Sequence, residues 1–218
     1  MARTLQLTDS AGDPVVPVLE QAADLVRRGG VLAMPTETFY GLGADPANAT
    51  AVRRVAAMKG RADGPPILVL IADIAILSSF VPTVPSSAKL LMDRFWPGPL
   101  TLVLPARYTL PVALTGGTGT IGIRQPASAL LRELLLRTGP LTGTSANKTG
   151  QPPARTAGEV EAILGRDVDL ILDGGPTAGE APSTVVDATG PIRLLREGMI
   201  KRDRLATALG EAGLRLEP

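Results

Sequence analysis

The chain has 218 residues, enough for one large domain or two small ones, and 22 Lys+Arg against 21 Asp+Glu leave a net charge of +1. This balance gives no overall attraction for nucleic acid, although it is compatible with a local basic groove. The chain has no cysteine and no histidine, which excludes disulfides, thiolate catalysis, imidazole bases and most zinc sites. Any catalysis must therefore rely on aligning the reactants and stabilising charge, with Lys, Arg, carboxylate, hydroxyl and amide groups.

The N-terminal sequence MARTLQLTDS has no apolar stretch of the kind that secretory signals carry. No apolar run reaches the ~18 residues of a membrane span, and the run in PPILVLIAD is far too short. We therefore expect a soluble, cytosolic protein.

Apolar periodicity predicts helices and short strands in alternation along the chain. The predicted helices run from Val18 to the Gly29-Gly30 stop, over 49–59 behind the cap Asn48, from Ser86 to Phe95, from Leu130 to near Gly139, from the capping box of Thr156 and Glu159 to Leu164, and over 203–212. The predicted strands are 31–34, 67–71, 100–104, 120–124, 141–144, 170–172, 184–186 and 192–195. The stretch PTETFYGLGADPAN is predicted as turns.

Strands that alternate with helices indicate an α/β layer structure, and the closely spaced strands over 170–195 indicate that part of the sheet is antiparallel or mixed. The sequence contains no repeat and no low-complexity linker. We expect a single domain over residues 1–218, with its core at about 15–200.

Polar groups follow several of the predicted strands, where α/β sheets bind ligands. The segment PTETFYGLG offers two threonine hydroxyls and a tyrosine, either to a small polar pocket or to an ordinary loop. Thr144-Ser145-Ala146-Asn147 precedes Gln151-Pro152-Pro153, which makes an immediate helix there unfavourable and leaves ligand binding or a self-bonded loop. The segments Ser183–Asp187 and Leu195–Gly198 also place polar groups beside apolar strands.

Basic residues stand at two of these places. Lys59-Gly60-Arg61 follows a predicted helix, where the cations either complement the helix dipole or clamp a phosphate. Arg124 ends an apolar strand, so if it is buried it needs a carboxylate from the protein or from a substrate. Neither a Walker A loop nor a GxGxxG fingerprint is present.

Taken together and in order, the segments PTETFYGLG, KGR, PPILVL, FWPGPLTLVL, IGIRQP, TSANKTGQPP, STVVD and LLREG resemble the YrdC-like family from end to end. The resemblance implies a single-domain, twisted, mixed parallel and antiparallel α/β sheet with flanking helices and a large concave cavity. It also implies a short, stand-alone threonylcarbamoyl-AMP synthase. Such an enzyme joins L-threonine, bicarbonate or CO2 and ATP, releases pyrophosphate, and supplies the N6-threonylcarbamoyladenosine modification of tRNA.

The resemblance also implies roles for individual residues. Catalysis is assigned to Lys59 and Arg61. Threonine binding is assigned to Thr36, Tyr40, Arg124, Thr144 and Ser183. Nucleotide binding is assigned to Lys59, Arg61, Thr120, Ser145, Asn147 and Arg196. No residue is assigned to a metal, because Mg2+ is expected to arrive with ATP.

The implied partners are ATP, L-threonine, bicarbonate and the transferase complex that modifies tRNA; weak binding of tRNA or double-stranded RNA is compatible, and no membrane is involved. Pro65 departs from the polar or basic residue that relatives often carry beside Pro66, on the threonine side. Two alternatives remain: a noncatalytic RNA-binding paralogue of the same fold, and an enzyme that forms carbamoyl-adenylate.

Overall fold

The computed structural model describes residues 2–60 and 64–217. Its strands are β1 (Arg3–Gln6), β2 (Leu32–Met34), β3 (Gly41–Gly43), β4 (Val69–Leu70), β5 (Leu100–Pro105), β6 (Thr120–Arg124), β7 (Leu141–Thr142), β8 (Thr144–Ser145), β9 (Leu170–Asp173), β10 (Thr184–Asp187) and β11 (Arg193–Arg196). Its helices are α1 (Val16–Arg27), α2 (Ala49–Met58), α3 (Ser86–Phe95), α4 (Val112–Thr115), α5 (Ala129–Thr138), α6 (Ala157–Leu164) and α7 (Arg202–Gly210), with a 3-10 helix over Ile74–Ser79. None of the helices in these ranges is long and apolar enough to cross a bilayer.

The described strands divide between two sheets, a division that the strand pattern does not reveal. The first sheet has the order β1-β9-β2-β3-β8, and the second has the order β11-β10-β5-β6-β4-β7. In the first sheet β2 runs parallel to β9 and antiparallel to β3. In the second, β5 runs parallel to β10 and antiparallel to β6. The predicted mixed α/β architecture is therefore confirmed.

Buried apolar side chains pack in two clusters that join helices to sheets. The larger one contains Val55 from α2, Leu91 from α3, Leu102 from β5 and Ile171 from β9, so it draws on both sheets. The smaller one lies between α1 and α5 and the first sheet, with Leu19, Leu134 and Leu172 among its members. Because the core draws on both sheets, the strand ends that carry polar groups are held in fixed relative positions.

The predicted elements agree with the structure where local signals are strong. Helix α3 and strand β6 have the predicted bounds. The apolar run over 67–71 pairs only at β4, and the predicted strand over 141–144 is split into β7 and β8 at Gly143. A Cβ on Gly143 would lie 2.5 Å from Leu70 Cγ, so the chain passes too close to β4 for any side chain. The sequence analysis missed β1, α4, the 3-10 helix and β3, which lies in the stretch predicted as turns.

Asn48 caps α2 as predicted: its Oδ1 accepts hydrogen bonds from Thr50 N and Ala51 N at 3.1 Å each. We expect Asn48→Ala to lower the free energy of unfolding by about 1 kcal/mol, because two helix N–H groups lose their acceptor. Urea unfolding measures the change. Asn48→Asp is the control: it keeps an acceptor oxygen and should lose much less, and an equal loss in both variants would contradict the capping role.

Candidate active site

A cavity of about 670 Å³, hereafter the main cavity, is lined by residues of both sheets. The first sheet contributes the turn after β2 together with β3 and β8, and the second contributes β5, β6, β10 and β11. The polar residues of its wall are Thr36, Thr38, Tyr40, Thr101, Thr118, Thr120, Arg124, Thr144, Ser145, Ser183 and Arg196. Eight of the predicted site residues thus surround one space, although they come from distant parts of the sequence.

Two of the sequence motifs meet because β3 pairs with β8. In this antiparallel pair Gly41 lies opposite Ser145 and Leu42 lies opposite Thr144. A Cβ on Gly41 would lie 3.4 Å from Thr144 O and 3.7 Å from Thr36 Cγ2, a space that glycine leaves open beside the cavity. The segment after β2 and the segment after β7 are therefore neighbours on one wall.

The turn after β2 is held by Thr36. Its Oγ1 accepts from Thr38 N at 3.0 Å, donates to Phe39 O at 2.8 Å and lies 2.9 Å from Thr38 Oγ1. A hydroxyl with these partners closes a turn, which fits the loop interpretation of the motif. Both threonines are buried, yet both line the main cavity, so the turn is at once self-bonded and part of the wall.

Tyr40 lines the cavity but its hydroxyl is engaged by the protein. The side chain is fully buried, and its OH donates to Gly175 O at 2.8 Å and lies 3.4 Å from Asp173 Oδ1. Burial and the nearby charge of Asp173 raise the pKa of Tyr40 to about 12. The phenol therefore stays neutral at physiological pH, and Tyr40 offers the cavity its ring rather than a free hydroxyl.

We expect Tyr40 to ionise at about pH 12 in the folded protein, against 10.0 for an ordinary tyrosine. Because the raised pKa belongs to the folded state, its stabilisation is complete below pH 10 and is lost as the pH rises towards 12. The absorbance of tyrosinate measures this directly in the variant Tyr108→Phe, which leaves Tyr40 as the only tyrosine. Titration near pH 10 while the chain is still folded would contradict the burial argument.

Arg124 is buried and has found a carboxylate within the protein. Its Nη2 lies 2.5 Å from Glu37 Oε1, and the two side chains are only 4% and 17% exposed. Its Nε donates to Gly98 O at 3.2 Å. Neither Arg124 Nη2 nor the second carboxylate oxygen, Glu37 Oε2, has a hydrogen-bond partner in the described part of the chain. The predicted need of Arg124 for a carboxylate is thus met by Glu37, a residue that the sequence analysis did not single out.

A second guanidinium, that of Arg196, stands at the exposed rim of the same cavity. Its Nη2 donates to Ser183 O at 2.9 Å and to Ser183 Oγ at 3.3 Å, and Ser183 Oγ lies 2.9 Å from Thr101 Oγ1. Burial, and then the positive charge of Arg124, lower the pKa of Arg196, although an arginine so far above neutrality keeps its charge. Among residues 2–60 and 64–217 Arg196 has no acidic partner within salt-bridge distance. The two guanidiniums thus bring two positive charges to the cavity, of which only that of Arg124 is paired with a carboxylate, and this suits the cavity to an anion.

Lys59 forms a buried cluster with Ser145 and Asn147 next to the main cavity. Its Nζ donates to Ser145 O at 2.6 Å, to Ser145 Oγ at 3.2 Å and to Asn147 Oδ1. These three acceptors match the three N–H groups of an ammonium. Ser145 Oγ also donates to Asn147 Oδ1 at 2.6 Å, and Lys59 is only 3% exposed. The cation, the serine and the amide therefore form one unit.

Lys59 also lines a smaller cavity of about 390 Å³ that shares Pro65, Pro66 and Thr144 with the main one. Thr149 N and Thr149 Oγ1 both donate to Lys59 O, which fixes the end of α2 to the loop after β8. Arg61, the other residue assigned to catalysis, lies outside the described residues. Thr120 lines the main cavity and Asn147 does not, although Asn147 contacts Lys59 and Ser145.

Three residues that shape the site are not among those predicted from the sequence: Glu37, Thr101 and Asp173. Glu37 lies inside the motif PTETFYGLG, between two threonines that were predicted to line a polar pocket. Its position in the motif could therefore have marked it as a site residue. Thr101 and Asp173 belong to β5 and β9. Their roles depend on contacts with residues that are distant in the sequence, and a single sequence does not show which residues these are.

The sequence matches the family model Sua5_yciO_yrdC, described as telomere recombination, over residues 24–198. The chain belongs to the Sua5/YciO/YrdC family. A family member from Pyrococcus abyssi named threonylcarbamoyl-AMP synthase is 38% identical over 199 residues, which are 90% of this chain and 58% of that protein. A Thiobacillus denitrificans member of the same name is 43% identical over 172 residues, 77% of this chain and 89% of that one. The chain thus spans less than two thirds of the Pyrococcus protein but matches most of the Thiobacillus one.

The structure of this chain also matches solved structures of the Sua5/YciO/YrdC family. The P. abyssi Sua5 structure complexed with L-threonine has a TM-score of 0.91 and 34% sequence identity, and the match covers 99% of this chain and 62% of that one. The predicted resemblance to the family is therefore confirmed.

Proposed function

We propose that this chain is a threonylcarbamoyl-AMP synthase, which forms its product from L-threonine, bicarbonate or CO2 and ATP. One observation carries the proposal: a single cavity brings Arg124, Arg196 and Ser183 to one wall and Ser145, held by buried Lys59, to another. Such a space suits an amino acid and a nucleotide side by side. The names of the curated relatives and the threonine complex of the Pyrococcus protein support this substrate class.

The amino acid is proposed to bind at the arginine wall. Its carboxylate pairs with the guanidinium groups of Arg124 and Arg196, since Glu37 neutralises only one of these two positive charges. Ser183 Oγ and the Thr144 hydroxyl provide hydrogen-bonding groups, and the Tyr40 ring supplies an apolar surface for the threonine side chain. Thr36 also lines this part of the cavity, but its hydroxyl is engaged within its own turn. Because Tyr40 OH is engaged by Gly175 O, we assign no ligand hydrogen bond to it.

The nucleotide is proposed to bind on the side of Lys59, Ser145 and Asn147, with Thr120 and Arg196 nearby and with Mg2+ carried by its phosphates. Arg61 follows Lys59 by two positions and is proposed as a second cation for the phosphates. Any contact between Lys59 Nζ and a phosphate oxygen would exchange one of its present acceptors, since these already match its N–H groups.

The proposed reaction needs no histidine or cysteine. The neutral amine of threonine adds to CO2 and loses a proton, which gives a carbamate. A carbamate oxygen then attacks the α-phosphorus of ATP, and the bond from that phosphorus to the bridging oxygen breaks to release pyrophosphate. The carbamate is already a nucleophile, so alignment of the reactants and neutralisation of phosphate charge are the main tasks of the protein.

Pyrophosphate release tests the proposal. The protein is mixed with ATP, Mg2+ and bicarbonate, with and without L-threonine, and we expect release that depends on both threonine and bicarbonate. D-Threonine is the matched control, since it has the same charge and composition but presents its side chain with the opposite hand. Folded protein that releases no threonine-dependent pyrophosphate would contradict the proposal. RNA binding without turnover would then favour the noncatalytic paralogue.

A further inference from the structure

We propose that Glu37 is a positioning residue that fixes the guanidinium of Arg124 for the carboxylate of the amino-acid substrate. The inference rests on the proposed function, but it concerns a residue that does not itself line the main cavity. Its basis is the geometry of one buried ion pair at the junction of the two sheets.

Glu37 ties the two sheets together at the edge of the cavity. It lies in the turn after β2 of the first sheet, and its Oε1 accepts from Ala127 N at 2.9 Å in the segment after β6 of the second sheet. The same oxygen lies 2.5 Å from Arg124 Nη2 at the end of β6. The turn is itself rigid, because Thr36 Oγ1 accepts from Thr38 N and donates to Phe39 O. The carboxylate therefore stands at a fixed place behind the arginine.

The guanidinium of Arg124 is held from two directions. Its Nε donates to Gly98 O at 3.2 Å, and Gly98 N in turn donates to Gln125 O at 2.8 Å, so the carbonyl that receives Arg124 is braced against the segment after β6. With Glu37 at Nη2, a planar group held on two edges cannot turn. The side chain held in this way lines the main cavity. A binding group held in this way loses little entropy when the ligand arrives.

Glu37 also offsets one of two like charges at the cavity. Burial lowers the pKa of Arg196, and the positive charge of Arg124 acts in the same direction. The carboxylate of Glu37 offsets the positive charge of Arg124, so Arg124 can remain turned towards a cavity that Arg196 also faces. Without it, repulsion between the guanidiniums would favour rotation of Arg124 away from its present position.

Charge and position predict opposite results for Glu37→Gln. The substitution removes a negative charge close to an anion-binding cavity, so charge alone would tighten the binding of a carboxylate ligand. If the role of Glu37 is to fix Arg124, binding must instead weaken. We expect the Kd of L-threonine to rise roughly tenfold in Glu37→Gln and further in Glu37→Ala, since Arg124 loses the charged partner that fixes its guanidinium.

The test is calorimetric titration of L-threonine into the full chain, together with KM for threonine, KM for ATP and kcat. We expect KM for threonine to rise with Kd, while KM for ATP and kcat stay within about twofold of the parent. The reason is that the substitution weakens threonine binding equally in the ground state and the transition state and does not touch ATP. Glu133→Gln, which breaks the pair with Arg137 on the surface of α5, is the matched control and should change none of these. In a double-mutant cycle, Glu37→Gln should add little once Arg124→Gln is present, because it acts through that arginine.

Unchanged or tighter threonine binding in Glu37→Gln overturns the proposal, and so does a full additional loss in the Arg124→Gln background. A Glu37→Gln protein that no longer folds would assign the residue to stability and also overturn it. If the parent chain binds no threonine, the proposed function fails first, and that result is separate from any effect of Glu37.

Discussion

Replacing Lys59 with methionine is expected to lower threonine-dependent pyrophosphate release by at least about 100-fold, the scale on which a single preorganised charge-stabilising group acts. Methionine keeps a long, unbranched side chain in a buried position but removes the ammonium. Ser145 O, Ser145 Oγ and Asn147 Oδ1 all lose their cationic donor. The change therefore removes a positive charge proposed to face the phosphates and loosens the serine and the amide that the charge orders.

Lys89→Met is the control for this result, because Lys89 is an exposed lysine on α3, outside both cavities of the site. It should retain the turnover of the parent. Both variants are compared by kcat and by KM for each substrate at matched folded concentration. Activity of Lys59→Met within threefold of the parent would contradict a central role for the lysine. A threefold change corresponds to only about 0.6 kcal/mol of activation free energy, which is too small for a catalytic cation.

Arg124→Gln is expected to lower the free energy of unfolding by about 3 kcal/mol, because it leaves Glu37 buried without its cation. Glu37 keeps some solvent contact, at 17% exposure, which places the expected loss at the lower end for a broken buried pair. The same substitution should also raise the Kd of L-threonine more than Glu37→Gln does, since it removes one of the two guanidiniums that face the ligand. Urea unfolding and calorimetry measure the two effects.

The matched control is Arg94→Gln, which breaks the pair of Arg94 with Glu211 at 58% and 57% exposure. Such an exposed pair contributes less than about 1 kcal/mol. Adding Glu37→Gln to Arg124→Gln should recover part of the stability without recovering threonine binding, since no unpaired charge remains. Equal losses of unfolding free energy in the Arg124 and Arg94 variants would show that burial of the Glu37–Arg124 pair does not add to stability.

Sequence reasoning predicted the parts of the site that short-range signals define. The cap Asn48 and the stop at Gly60 fixed α2 and so placed Lys59 at its end. The polar run after β7 was predicted to avoid an immediate helix, and the next helix begins only at Ala157. For Arg124, burial at a strand end predicted a carboxylate partner but did not say which one. The roles of individual residues as ligands of threonine and ATP remain predictions.

What could not be predicted depends on pairing between distant strands. The segment PTETFYGLG looks like a loop in sequence, yet Gly41–Gly43 forms β3 because β2 and β8 offer it partners on both sides. Glycine has low strand propensity, so only tertiary contacts make this a strand. The same pairing puts Ser145 beside the turn of Thr36, which no local pattern contains.

By itself, the sequence determined the described α-helices other than α4, most strands, the absence of thiol and imidazole chemistry, and the motif order that identifies the family. These follow from periodicity, capping and residue inventory, which act over a few neighbouring residues. The tertiary structure alone decided the division into two sheets, the choice of Glu37 as the partner of Arg124, and the burial of Lys59 against Ser145 and Asn147. These contacts join residues far apart in the chain, and packing of the shared core sets which of them meet.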